Sequence, residues 1–122
     1  MSTKLTKALE FANYAATINN QRAALRAKTE AMLSYSINGG TFTIEQSLIS
    51  FVQECIRTKL SRVILLDIYK NPIMIEDLQS FQEEICSRYF EVVNDYYAEY
   101  EKLKRARKVH KVLDLNEDGD AE

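Results

Sequence analysis

The chain has 122 residues, 46% of them hydrophobic, and its 16 Lys+Arg against 18 Asp+Glu leave a net charge of -2. That is one domain's worth of material, able to bury a core without disulfides or metal. The charge balance excludes a global field drawing the molecule toward nucleic acid or anionic membrane, so any such preference must be local. The opening MSTKLTKALE has no apolar leader segment, and no later apolar run reaches membrane-spanning length, so a soluble, cytoplasmic protein is expected. Cys55 and Cys86, far apart and on apolar faces of predicted helices, read as reduced, packed thiols.

Residues 4–37 hold no Gly or Pro, and Phe11, Ile18, Leu25 and Met32 recur every seven residues, which predicts a long first helix with one apolar seam. Asn19-Asn20-Gln21-Arg22 weakens that seam. Asn38-Gly39-Gly40 is expected to stop the helix, because Asn and Gly tolerate the positive φ that closes a helix C-terminus. Thr43 and Gln46 then have capping-box spacing, and a second helix is predicted over 44–60, with Phe42 adding a short extended segment. Its apolar residues Ile44, Leu48, Phe51, Val52, Cys55, Ile56 and Leu60 share one broad face.

Residues 63–75 predict a β-hairpin, with a β-rich run over 63–68, a turn at Tyr69-Lys70-Asn71-Pro72 and a second run over 73–75. The first run is almost wholly apolar, so a helix is expected to cover at least one of its faces. Ile75-Glu76-Asp77 reads as a strand entering a helix start, its acids favoured by the N-terminal dipole. A last helix is predicted over 77–108. Leu78, Phe81, Ile85, Tyr89, Val92, Tyr96, Tyr100 and Leu103 step along it in an eleven-residue pattern, the signature of a nearly straight helix.

The fold class is therefore mainly α with a small β-hairpin (α+β): two long antiparallel helices, each roughly 50 Å long, and a head of short helix plus hairpin, in the order α-α-β-β-α. One helical domain is expected over 1–113, with an acidic, disordered tail over 114–122. The last helix carries more apolar surface than the Ala-rich first can cover. Tyr89, Val92, Tyr96 and Tyr100 are accordingly the expected assembly face, with Tyr97 left exposed.

Near the end, Asp114, Asn116, Asp118, Gly119 and Asp120 match positions one, three, five, six and seven of a calcium loop. Glu122 would be position nine, and the bidentate Glu of position twelve is missing, so a charged tail is expected rather than a metal site. Lys102, Lys104, Arg105, Arg107, Lys108 and Lys111 form a basic cluster that a helix C-terminus favours. Of these, Lys104, Arg107, Lys108 and Lys111 are the residues that would meet an anionic partner such as a nucleic-acid backbone.

Catalytic signals are sparse. His110 is the only histidine and lies among cations, Gly39-Gly40 leads into Thr41 without a phosphate-loop pattern, and Glu83-Glu84 and Glu99/Glu101 do not converge two carboxylates on one substrate. The expectation is no enzyme, no cofactor, no metal and no small-molecule substrate.

Three stretches, NGGTFTIEQSLISFV, VILLDIYKNPIMIEDLQSFQEEI and RYFEVVNDYYAEYEKLKRARKV, resemble those of small proteins encoded by T4-like tailed phages, and cover more than half of the chain. Such proteins include components of the prohead core. The resemblance implies a helical assembly role, in the host cytoplasm or in the virion. Leu115-Asn116-Glu117 fits the pattern at which prohead core proteins are cut. Together these features predict an interaction or assembly protein that binds itself or a protein partner. The alternative is a nucleic-acid-binding or polymerase accessory factor acting through the basic helix end.

Overall fold

The computed structural model describes residues 2–120, and the side-chain surroundings of 3–106. In chain order it holds α1 (Ser2–Met32), β1 (Ser34–Ile37), β2 (Gly40–Thr43), α2 (Gln46–Arg57), β3 (Val63–Leu66), β4 (Pro72–Ile75) and α3 (Leu78–Asp120). The chain is mainly helical with small antiparallel hairpins between its long helices, the expected α+β class. The first departure from expectation lies at the end of α1. The first helix stops at Met32 instead of continuing to Ile37, and the residues beyond it pair as a second hairpin.

That hairpin follows from Asn38-Gly39. Both residues have positive φ, 52° and 82°, as a two-residue turn between right-twisted strands requires. Ser34-Tyr35-Ser36-Ile37 alternates polar and apolar, so pairing it with Gly40–Thr43 turns Tyr35, Ile37 and Phe42 toward one core. The sequence Asn-Gly serves both helix ends and hairpin turns, and the period-two pattern around it decides between them.

The expected capping box does not form either. Thr43 belongs to β2, the residue preceding α2 is Glu45 with no side-chain cap, and the Gln46 amide donates instead to the Tyr89 hydroxyl at 2.9 Å. At its other end α2 closes earlier than Leu60. Lys59 N–H bonds the Ile56 carbonyl and Leu60 N–H the Cys55 carbonyl, with Lys59 at φ 67°, a Schellman closure without its usual glycine.

The chain divides into two compact units, Thr29–Asp95 and a unit of Met1–Lys28 with Tyr96–Glu122. In the first, Phe42, Ile44, Val52, Cys55, Leu65, Ile73, Ile75, Leu78, Phe81 and Ile85 form the core. Both hairpins, α2 and the start of α3 contribute, because Tyr35 and Ile37 of β1 pack against it as well, together with Leu33 just after α1. Phe81 anchors the aromatic contacts, edge-on to Phe42 at 5.7 Å and tilted against Tyr35 at 6.0 Å. Each fully buried aliphatic side chain here contributes about 1.5–3 kcal/mol of transfer free energy.

The expected stripe on α3 is real within this unit: Leu78, Phe81, Ile85 and Val92 are buried and Tyr89 half-buried. Asp77 starts that helix as anticipated. Its carboxylate accepts the Ser80 N–H at 3.1 Å and the Ser80 hydroxyl at 2.7 Å, two bonds that hold its pKa below the usual carboxylate range.

In the other unit the seven-residue seam of α1 is only partly used. Ile18 is buried and Leu25 half-buried, while Phe11 is exposed. Met32, the seam's last residue, belongs to the first unit and is exposed there. The Tyr96 and Tyr100 rings stack at 6.3 Å, and the Arg22 guanidinium lies 5.9 Å from the Tyr100 centroid. The last helix continues to Asp120, past the end expected near Lys108 and through most of the segment assigned to a tail. Among the described residues no helix is long and apolar enough to cross a membrane.

Candidate interaction surface

Five short elements of the Thr29–Asp95 unit build the surface. The two hairpins meet at Gly40, where an added Cβ would stand 2.5 Å from Ile73 Cγ1, so only glycine allows this approach. The Asn38 amide donates to the Met74 carbonyl at 3.0 Å, tying the first turn to β4. At the other end of the contact, Thr41 accepts the Ile68 N–H at 2.9 Å.

Asp67 completes the junction. It is only 4% exposed, yet among the described residues it has no ion-pair partner; backbone amides surround it instead. Oδ2 accepts the Thr41 N–H at 3.1 Å, and Oδ1 accepts those of Tyr69 and Asn71, each at 2.9 Å. Burial pushes its pKa up, but the amides of Asn71, Thr41 and Tyr69 outweigh that and hold the carboxyl below its ordinary value. A single carboxylate thus fixes the loop 67–71 and attaches it to β2.

This junction commits one face of the β3–β4 hairpin to the core, through Val63, Leu65, Ile73 and Ile75. The covering expected for the apolar run is therefore present on that face. The opposite face is bare. Ile64 is 58% exposed and Leu66 61%, and Met74, directly across from Ile64, is also exposed. Phe51 of α2, 54% exposed, shares a groove with Leu66 and Ile68, and Tyr69 of the loop is exposed as well. A groove of about 440 Å³ runs between α2 and β3, with Leu48, Phe51 and Leu66 among its apolar walls and Glu45 and Lys70 among its charged ones.

The four residues expected to form an assembly face are spent mostly within the chain. Val92 is 6% exposed, and Tyr89 packs against the core while accepting the Gln46 amide. Tyr96 is half-buried and stacked on Tyr100, which is only 37% exposed and lies under Arg22. The periodicity that singled these tyrosines out marks the buried stripe itself. Tyr97 is exposed, as anticipated, and so is Phe90. Lys104 is also exposed, whereas the side chains of Arg107, Lys108 and Lys111, and of the calcium-loop pattern over 114–122, lie outside the described residues.

Sequence reasoning passed over Ile64, Leu66 and Phe51 as surface residues. A signal existed: a two-stranded hairpin buries one face, so an unbroken apolar run leaves every second residue facing out unless something covers it. No protein-family model, curated protein or solved structure matches the chain.

Proposed function

We propose that the chain is a non-enzymatic assembly protein that binds through burial of apolar surface, with self-association as its basic activity. The observation that carries this reading is the bare face of Ile64, Leu66 and Met74, with Phe51 across a groove from Leu66. A contiguous patch of this kind is costly to leave in water, and on soluble proteins it marks a binding surface. The resemblance of three stretches to small proteins of T4-like tailed phages narrows the setting to virion assembly, as a head-core or related component.

The competing reading, a nucleic-acid or polymerase accessory factor, draws on exposed Lys104 and Arg105. The two differ in their response to salt and charge. Light scattering over a concentration series should give a mass rising above the 14.1 kDa of one chain. That rise should persist at high salt and after charge reversal at Lys104, Lys108 and Lys111. A mass fixed at one chain throughout contradicts the proposal. Nucleic-acid binding that is steeply salt-dependent and abolished by the reversals, with no self-association, favours the competitor.

A further inference from the structure

We infer that the partner at this surface is a second copy of the same chain, joined edge to edge through β3. This inference rests on the assembly reading and makes it specific. Hydrogen-bonded and non-bonded residue pairs alternate along an antiparallel ladder. The Asp67 N–H bonds the Asn71 carbonyl at 3.0 Å, which in the observed register makes 65/73 and 63/75 the bonded pairs. Ile64 and Leu66 therefore face Met74 and Pro72 across non-bonded positions, with their own N–H and C=O groups directed away from β4. Among the described residues nothing pairs with those four groups.

The two edges of this hairpin are treated differently. On β4 the outward positions are Pro72, which has no N–H, and Met74, whose carbonyl takes the Asn38 amide. On β3 the edge is closed only at Ile68, by Thr41, which confines the open stretch to Ile64–Leu66 in length. Val63–Leu66 contains no charge and no proline, the devices by which soluble proteins protect an edge.

A two-fold axis at Leu65 sets Ile64 of each copy against Leu66 of the other, antiparallel. All four backbone groups of each copy are then paired, in four inter-chain hydrogen bonds. The second strand lies beside the groove between β3 and α2, near Phe51. Ile64 and Leu66, 58% and 61% exposed, then stand as directly opposed cross-strand pairs with Leu66 and Ile64 of the other copy, apolar against apolar. The edge strand of a second copy is already extended, so little ordering entropy is lost when it docks.

The test uses Ile64→Pro and Leu66→Lys in the full chain, with amide hydrogen exchange on the wild type. Ile64→Pro removes an N–H that the β3–β4 ladder does not use. Because the axis repeats the loss, two inter-chain bonds vanish, and the dimer should weaken about tenfold to a hundredfold. Leu66→Lys should abolish it. In the wild type, protection of the Ile64 and Leu66 amides should grow with protein concentration, while the Leu65 amide stays protected throughout. Circular dichroism and urea midpoints confirm that each variant folds, and the exchange result stands without them.

Self-association with concentration-independent exchange at Ile64 and Leu66 overturns the β3 pairing while leaving the assembly reading intact. A protein monomeric at every concentration overturns both. Protection of those amides by an unrelated extended peptide, with no self-association, also overturns the second-copy assignment.

Discussion

At the residue scale, the densest set of constraints falls on Asp67. Its carboxylate neutralises three amide donors in a setting nearly closed to water, where an unmatched donor would be costly. Asp67 and Asp77 both have pKa values lowered by hydrogen bonds to their charged forms. The stability they supply is therefore complete above the ordinary carboxylate range, near 4, and is lost as pH falls through the lowered values. Asp67→Asn should lower the urea midpoint at pH 7 and flatten the acid limb of the stability profile, with the two proteins converging at the lowest pH. Identical profiles would refute the role given to this carboxylate. Lys59 shows the opposite case, a residue tolerated rather than needed. Its φ of 67° puts a side chain where glycine is easier, so Lys59→Gly should stabilise the protein by about 0.5–1 kcal/mol, measurable in the same urea titration.

At the scale of elements, sequence patterns were informative where one period dominated and misleading where two structures share a code. The eleven-residue stripe led to α3 and, from Leu78 to Val92, to its buried face, because burial on a straight helix follows spacing. The Asp77 start and the 63–75 hairpin were legible for similar reasons, a short acid before a long apolar period and two β-rich runs around a turn. However, β3 ends at Leu66 rather than 68 and Pro72 belongs to β4 rather than to the turn, because Asp67 gathers the loop amides at 67–71. Asn38-Gly39 was not legible. The absence of Gly and Pro before it pointed to continued helix, and the alternation Tyr35, Ile37, Phe42 was too short to outweigh that without knowledge of the core it enters. The hairpin reading carries a distinct mutational signature. Gly40→Ala drives a methyl into Ile73 and should cost about 1–3 kcal/mol, whereas at Gly39, where nothing lies within 4 Å, Ala costs only its φ, about 1 kcal/mol. A helix C-cap would make Gly39, rather than Gly40, the sensitive position.

At the scale of the whole molecule, the hydrophobic periodicities led correctly to an α+β chain with long helices, but the candidate surface was not legible. The tyrosines on α3 drew attention because aromatic residues are common at interfaces. Which of them are spent inside the chain depends on contacts such as Gln46 with Tyr89 and Arg22 with Tyr100, which no local pattern encodes. Conversely, Ile64 and Leu66 looked like core because the run around them is apolar, and only the position of Asp67 and Gly40 determines which side of β3 is covered. The core of the Thr29–Asp95 unit is closed without them, so their exposure is not a packing requirement. Truncating that core instead, for example Ile85→Ala, should cost about 2–5 kcal/mol in unfolding free energy and lower the urea midpoint accordingly.

Association by apolar burial has a thermodynamic mark that charge-driven binding lacks, a negative heat-capacity change. Dilution calorimetry of the intact chain at several temperatures, in low and high salt, reads it directly. The account predicts dissociation heats whose temperature slope gives a negative heat-capacity change for association, scarcely altered by salt and removed by Leu66→Lys. Heats that vanish at high salt, or that Leu66→Lys leaves unchanged, would contradict it.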